Sequence, residues 1–215
     1  MEMARAEGLK MFEDGLKNRI QGYIKIRDIT NPNDPLLLVS KKNSINYENF
    51  SISLAQTIAN RPDGWIQNMC FGNGAATVSG TGTITYLPPN VVGTSAQLYN
   101  ETYFQCVDDL SPLNPNPSQN YMTTAHVSGT TYSDVIVTCT LGLGQPAGQE
   151  AFDNTTNITG TYVFNELGLK AYNATDAAIG TDANGLLLTH VVFSPVQKSL
   201  NRQIEIVYTI RIQTV

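Results

Sequence analysis

Residues 203–213 read Gln203-Ile-Glu-Ile-Val-Tyr-Thr-Ile-Arg-Ile-Gln213. Successive side chains of an extended strand point to opposite faces, so Ile204, Ile206, Tyr208, Ile210 and Ile212 share one face while Gln203, Glu205, Thr209, Arg211 and Gln213 take the other. The stretch predicts a strand that is half buried and covers one side of a sheet-on-sheet core.

Outward from it, Tyr99–Val107, Tyr121–Ser128, Ser133–Leu141, Thr161–Leu169 and Leu186–Phe193 carry further strand patterns. Gln21–Ile29 and Pro35–Ser40 flank the turn-rich Thr30–Asp34, which predicts a hairpin. Trp65–Phe71 reads as a short apolar strand, and Thr83–Leu87 as another, closed by Pro88-Pro89. The composition agrees: 23 Thr favour strands, while 20 Asn, 17 Gly and 10 Pro supply turns and long polar connections.

Two segments read as helix. Asn43 or Asn46 can cap one in which Phe50, Leu54 and Ile58 repeat every four residues, with Tyr47 a turn earlier and Pro62-Asp63-Gly64 ending it. Near the N-terminus Leu9, Phe12, Leu16 and Ile20 form one amphipathic stripe. Gly8 and Gly15 each cost about 1 kcal/mol relative to Ala, so this helix needs a surface to dock on, either its own domain or a neighbouring subunit. The expected fold is mainly β: a single β-sandwich domain over residues 20–215 with long polar loops and one short internal helix, preceded by a helical arm over residues 1–19. Ser111–Asn120, with three prolines, and Ala171–Gly185 are the loops expected to meet partners.

The chain of 215 residues has a net charge of −5, but its distribution says more. Residues 62–169 hold no Lys or Arg and eight acidic residues, so nucleic-acid binding lacks the cations that neutralise phosphates. The ends carry the cations, and Arg5, Lys10, Lys17, Arg19, Lys198 and Arg202 are expected to face acidic loops of neighbours. The longest purely apolar run is the four residues Leu36–Val39, too short to span a bilayer. The charged N-terminal twenty residues lack the apolar core of a secretory signal, so synthesis in a cytosol is expected.

Catalytic signals are sparse. Cys70, Cys106 and Cys139 form no C-x-x-C and are expected to be buried free thiols. His126 and His190 sit in strand patterns without H-E-x-x-H or a Cys/His cluster, and read as ordinary sheet residues. Asp108-Asp109 opens a solvated loop, since adjacent strand carboxylates cannot converge. Gly142-Leu-Gly-Gln-Pro-Ala147 fits a relaxed dinucleotide fingerprint but is followed by no helical periodicity. Neither a phosphate-binding G-x-x-x-x-G-K-[ST] nor a G-x-S-x-G elbow occurs.

The C-terminal stretch from Gly185 to Gln213, together with Lys41-Lys-Asn-Ser-Ile-Asn-Tyr47, Phe71-Gly-Asn-Gly74 and Leu98-Tyr-Asn-Glu-Thr102, resembles virion structural proteins of tailed bacteriophages. The likeness runs through most of residues 20–215 and leaves the arm out. It implies a non-enzymatic subunit of the neck, tail or baseplate, located in the virion and made in the host cytoplasm. It also implies a symmetric homo-oligomer whose partners are copies of itself and other virion proteins. No cofactor, metal, membrane, nucleic acid or small-molecule substrate is expected, and Leu9, Phe12, Leu16 and Ile20 are the expected docking stripe.

Three alternatives stand beside it. One is a capsid decoration or fibre-anchoring protein. Another is a host-glycan-binding module using Trp65, Tyr86, Tyr99 and Tyr132. The last is a glycan hydrolase drawing a carboxylate pair from Glu101, Asp108, Asp109, Asp134, Glu150 and Glu166.

Overall fold

The computed structural model describes residues 18–146 and 161–214. In chain order the elements are β1 (Asn18–Asp28), β2 (Leu36–Lys42), β3 (Ser44–Ile45), α1 (Tyr47–Ile58), β4 (Ile66–Gly72), β5 (Ala76–Val78), β6 (Ile84–Tyr86), β7 (Glu101–Cys106), β8 (Tyr121–His126), β9 (Tyr132–Leu141), β10 (Thr161–Ala171), β11 (Ile179–Gly180), β12 (Leu187–Ser199) and β13 (Ile204–Thr214).

The molecule is mainly β, and every paired strand is antiparallel. One sheet runs β2-β1-β13-β9-β8 and a larger one β11-β7-β4-β10-β12-β3, while β5 and β6 form a ribbon of their own. The expected β1–β2 hairpin is present, pairing Asp28 with Leu36 across the turn. β13 lies at the centre of its sheet, with β1 and β9 on either side. Its alternation is realised: Ile204, Ile206, Tyr208 and Ile210 are buried, and Ile212 packs on the core margin.

The two large sheets share one core. Ile24, Ile26, Val137 and Leu141 from the first meet Met69, Phe71, Phe164, Leu167 and Val191 from the second. The larger sheet is buried on its other face as well, where Cys70, Leu98, Phe104 and Leu187 form a smaller cluster beneath the connections that follow β6 and β10. This explains why β4 is almost wholly buried and why its sequence does not alternate.

α1 starts at Asn46, whose side chain accepts from the Asn49 N–H, so the second of the two proposed caps is used. Its buried face differs from the expected stripe. Asn49, Phe50 and Ser53 are buried, whereas Tyr47 and Ile58 are exposed. The reason is polar: the amides of Asn46 and Asn49 donate to Gly93 O and Leu187 O, which turns that side of the helix toward the larger sheet.

The N-terminal stripe is corrected at one end. Ile20 belongs to β1, opposite Ile212, and packs against the core, so the helical pattern cannot continue to residue 20. Leu9, Phe12 and Leu16 lie outside the described residues.

Candidate functional site

Glu166 sits beside a register shift between β10 and β12: Phe164 pairs with Val196 and Glu166 with Val192, so the single residue Asn165 stands opposite residues 193–195 and the extra residues are on β12. Such a bulge re-aims side chains. Here both are buried: Asn165 Oδ1 accepts from the Ala75 N–H, and the Glu166 carboxylate lies on the outer face of the larger sheet. His190 of β12 pairs with Gly168, one pleat from Glu166 on the same face. Gly168 is needed there, because an added Cβ would stand 2.6 Å from Leu187 Cδ1 and 2.8 Å from Thr189 O.

The Glu166 carboxylate accepts four N–H donors: Gly74 and Asn100 at Oε1, Tyr99 and His190 Nε2 at Oε2, each at 2.9 Å. The Asn90 N–H donates to His190 Nδ1 at 2.8 Å, which leaves Nε2 as the proton-bearing nitrogen. Burial pushes the carboxyl up, but the hydrogen bonds from His190, Tyr99 and Asn100 more than offset it, so the group is held below the usual carboxylate range. Together these bonds pin the connection from Gly74 to Asn100 onto the sheet.

A second polar cluster pins the connection after β10. Lys170 Nζ meets Glu101 Oε2 at 2.7 Å and Asp182 at 3.6 Å, and also donates to Ala183 O. Glu101 Oε1 accepts from the Ala183 N–H, and Asp176 joins Asn68 to Asn184. Burial raises the Glu101 carboxyl against the pull of Lys170. The loop expected to receive partners, Ala171–Gly185, is thus tied down over the sheet.

The other acidic candidates are engaged separately. Asp134 forms a two-bond fork with Arg211, both contacts at 2.8 Å, and Arg211 lies 3.9 Å above the Tyr132 ring. Asp108 accepts from Leu110 N–H, as a turn residue does, and Asp109 accepts from Met122 N–H, which ties its loop to β8. Glu150 lies outside the described residues. The aromatic candidates are likewise dispersed: Trp65 stacks on Tyr172 with centroids 4.6 Å apart, Tyr99 donates to Pro88 O, and Tyr86 belongs to the β5–β6 ribbon. Two of the expected outward cations are turned inward, Lys198 being buried and Arg202 pairing with Asp28 at 2.6 Å. The three cysteines are free and buried as expected. Among the described residues no cluster of His, Cys, Asp or Glu could hold a metal ion, and no helix is long and apolar enough to cross a membrane.

No family model, curated protein or solved structure matches this chain.

Two apolar surfaces stand out among the described residues. One is an open groove of about 450 Å³ between α1 and the edge of the five-stranded sheet, lined by Phe50, Leu54, Trp65, Met122, Val135 and Ile212 among others. Its walls are almost entirely apolar, which suits aliphatic and aromatic side chains better than a sugar, whose hydroxyls need polar partners. The other is the β5–β6 ribbon. Its register sets Val78 against Ile84 and Ala76 against Tyr86, so these four share one face and Thr77 and Thr85 the other. Val78 is 64% exposed, Ile84 52% and Tyr86 41%.

His190 is the residue that motif reading undervalued. Its partner Glu166 is 24 positions away, and the two meet only through the β10–β12 register.

Proposed function

We propose that this protein is a non-enzymatic structural subunit of a tailed-phage virion, folded as a β-sandwich and assembling as a symmetric homo-oligomer in the neck, tail or baseplate. The observation that carries the reading is the β5–β6 ribbon. An isolated two-stranded hairpin is marginal in water, and this one turns Val78, Ile84 and Tyr86 outward on a single face. A protein that works alone gains nothing from that face; a subunit that packs against copies buries it.

The way the acidic residues are used supports the same reading. Glu101, Asp134 and Glu166 each hold a separate structural contact instead of converging on a substrate. The segments that resemble phage virion proteins, Phe71–Gly74 and Leu98–Thr102, include the backbone that Glu166 fastens, so the likeness falls on architecture.

The test is mass spectrometry of particles purified on a density gradient. The protein is expected at roughly six to twelve copies per particle, as closed rings require. Hundreds of copies would indicate capsid decoration, and absence from the particles would end the proposal.

A further inference from the structure

Lys170 of β10 pairs directly with Asn68 of β4, and both side chains are fully buried. Opposed residues share a face, so their Cβ atoms stand about 5 Å apart on the outer side of the larger sheet. Four bonds of about 1.5 Å separate Lys170 Nζ from its own Cβ and let it span roughly 5 Å, which puts Asn68 Cγ within its reach. Lys170 Nζ stands 2.7 Å from Glu101 Oε2, and Asn68 Nδ2 donates to Asp176 Oδ2 at 2.8 Å. A primary amine, a carboxamide and two carboxyl groups are thereby collected in one buried place.

An ion pair accounts for Lys170 and Glu101, but not for the amide set opposite them. Asn68 Oδ1 is buried and, among the described residues, meets no hydrogen-bond donor, whereas buried acceptors are nearly always satisfied. Asp176 engages the amide nitrogen alone, so the carbonyl carbon carries a held leaving group and an unopposed oxygen. Cys70, Leu98, Phe104, Ala183 and Leu187 form an apolar cluster on this face, and the connection after β10 is fastened over it. Water that would compete for the amide carbon is kept out. Burial raises the Glu101 carboxyl, which favours its taking a proton from the amine beside it.

We propose that Lys170 and Asn68 join in an intramolecular isopeptide bond that the folded chain forms by itself. Glu101 Oε2 takes one proton from the Lys170 ammonium, and the neutral Nζ adds to Asn68 Cγ. A second Nζ proton is relayed to Nδ2, where Asp176 holds the leaving group. The Cγ–Nδ2 bond breaks as the Nζ–Cγ amide forms, and the ammonia takes the proton from Glu101 and departs as ammonium. Nothing is oxidised or reduced, and Glu101 ends ionised as it began. The bond staples β4 to β10, two neighbouring strands inside the larger sheet, across about 100 residues of chain. This inference does not depend on the virion reading, and its test involves no particle.

Intact-mass spectrometry of the purified full chain, denatured and reduced, is the test, and it needs no variant to fold. The chain is expected to be lighter than its sequence by one ammonia. Trypsin is expected not to cut after Lys170, and because residues 62–169 hold no other Lys or Arg, the fragment containing Asn68 runs on toward Lys198. A chymotryptic digest then yields the Asn68 and Lys170 peptides as one branched species. Lys170→Arg keeps the ion pair without the nucleophile, and Glu101→Gln keeps the shape without the proton acceptor. Both are expected at the full mass of their sequences, the first cut by trypsin after residue 170 and the second after Lys170. A folded parent chain at full sequence mass, with Lys170 open to trypsin, overturns the proposal. So does loss of ammonia mapped to Asn73-Gly74 or Asn184-Gly185, where ring closure onto the next amide gives the same mass. A bond that forms undiminished in Glu101→Gln overturns the proton transfer assigned to Glu101.

Discussion

Nε2 of His190 donates to the Glu166 carboxylate at 2.9 Å with both side chains fully buried, and the same carboxylate takes three backbone N–H groups from the stretch between β4 and β7, Gly74 just after β4 and Tyr99 and Asn100 just before β7. The pair acts as a clasp between a β-bulge and a long loop. Glu166→Gln keeps the size but replaces one acceptor oxygen by an NH₂ that faces donors. Leaving buried donors unmet costs about 1–3 kcal/mol, and more where a charged acceptor is lost. Urea denaturation of Glu166→Gln at neutral pH is therefore expected to show a loss of about 2–4 kcal/mol.

Acid should act through the same group. The folded Glu166 carboxyl titrates below its unfolded value, so its contribution is complete above the unfolded pKa of about 4.3 and disappears as pH falls through the folded one. Asp134, held low chiefly by its hydrogen bonds to Arg211, adds to the same slope. Stability measured by urea titration is expected to change little from pH 7 to about pH 5 and then to fall, and Glu166→Gln should flatten that fall. An unchanged acid slope in the variant would show that the carboxylate is not the titrating group.

The parts of this fold that were legible in the chain are those set by local pattern. β13 alternates because one face is buried, the β1–β2 turn carries its Asn, Pro and Asp, and Asn46 caps α1. β3 and β11, at two residues each, are too short to show a period, and they exist because β12 and β7 offer edges to pair with. The clasp was hidden for a different reason. Nothing near His190 announces Glu166, since their meeting depends on a bulge and on register between β10 and β12. The stripe of α1 misled because the helix is oriented by asparagine amides, which a hydrophobic pattern ignores.

Lys198 is a buried ammonium whose Nζ donates only to Ser199 O among the bonds seen. Burial, with Arg202 nearby, lowers its pKa to about 8. The unfolded chain holds that proton up to about pH 10.4, so between pH 8 and 10.4 the unfolded state binds more protons and stability rises with pH. Lys198→Met removes the penalty. It is expected to stabilise the protein by about 1–3 kcal/mol at pH 7, with the gain shrinking as pH passes from 8 to 10. Thermal melts of both proteins at pH 7, 8.5 and 10 check the sign and the trend.

The thiols should be silent in the native protein. Cys70, Cys106 and Cys139 are buried, and burial raises each thiol above its ordinary value, with the Glu101 charge adding to the effect at Cys70. Thiolate is the reactive form, so a colorimetric disulfide reagent at pH 8 is expected to find no fast-reacting group. In denaturant three thiols should appear at once. A single fast thiol in the native state would show local opening around that strand.

The β5–β6 ribbon separates stability from assembly. Val78 and Ile84 are exposed partners across the ribbon, and Gly82, at a φ of 81°, makes the turn that returns the chain. Gly82→Ala would strain that turn, so it is a poor probe of the ribbon's face. Val78→Ser with Ile84→Ser is better, because it removes apolar surface from a face that water already reaches. Surface changes of this kind usually stay within about 0.5 kcal/mol, so the monomer's urea midpoint should hold. Self-association should not: in light scattering coupled to size exclusion, the parent chain is expected to run as a closed oligomer and the double variant as a smaller species. Assembly that survives both substitutions would move the subunit contact elsewhere, with the exposed Leu36 and Leu37 on edge strand β2 the next face to change.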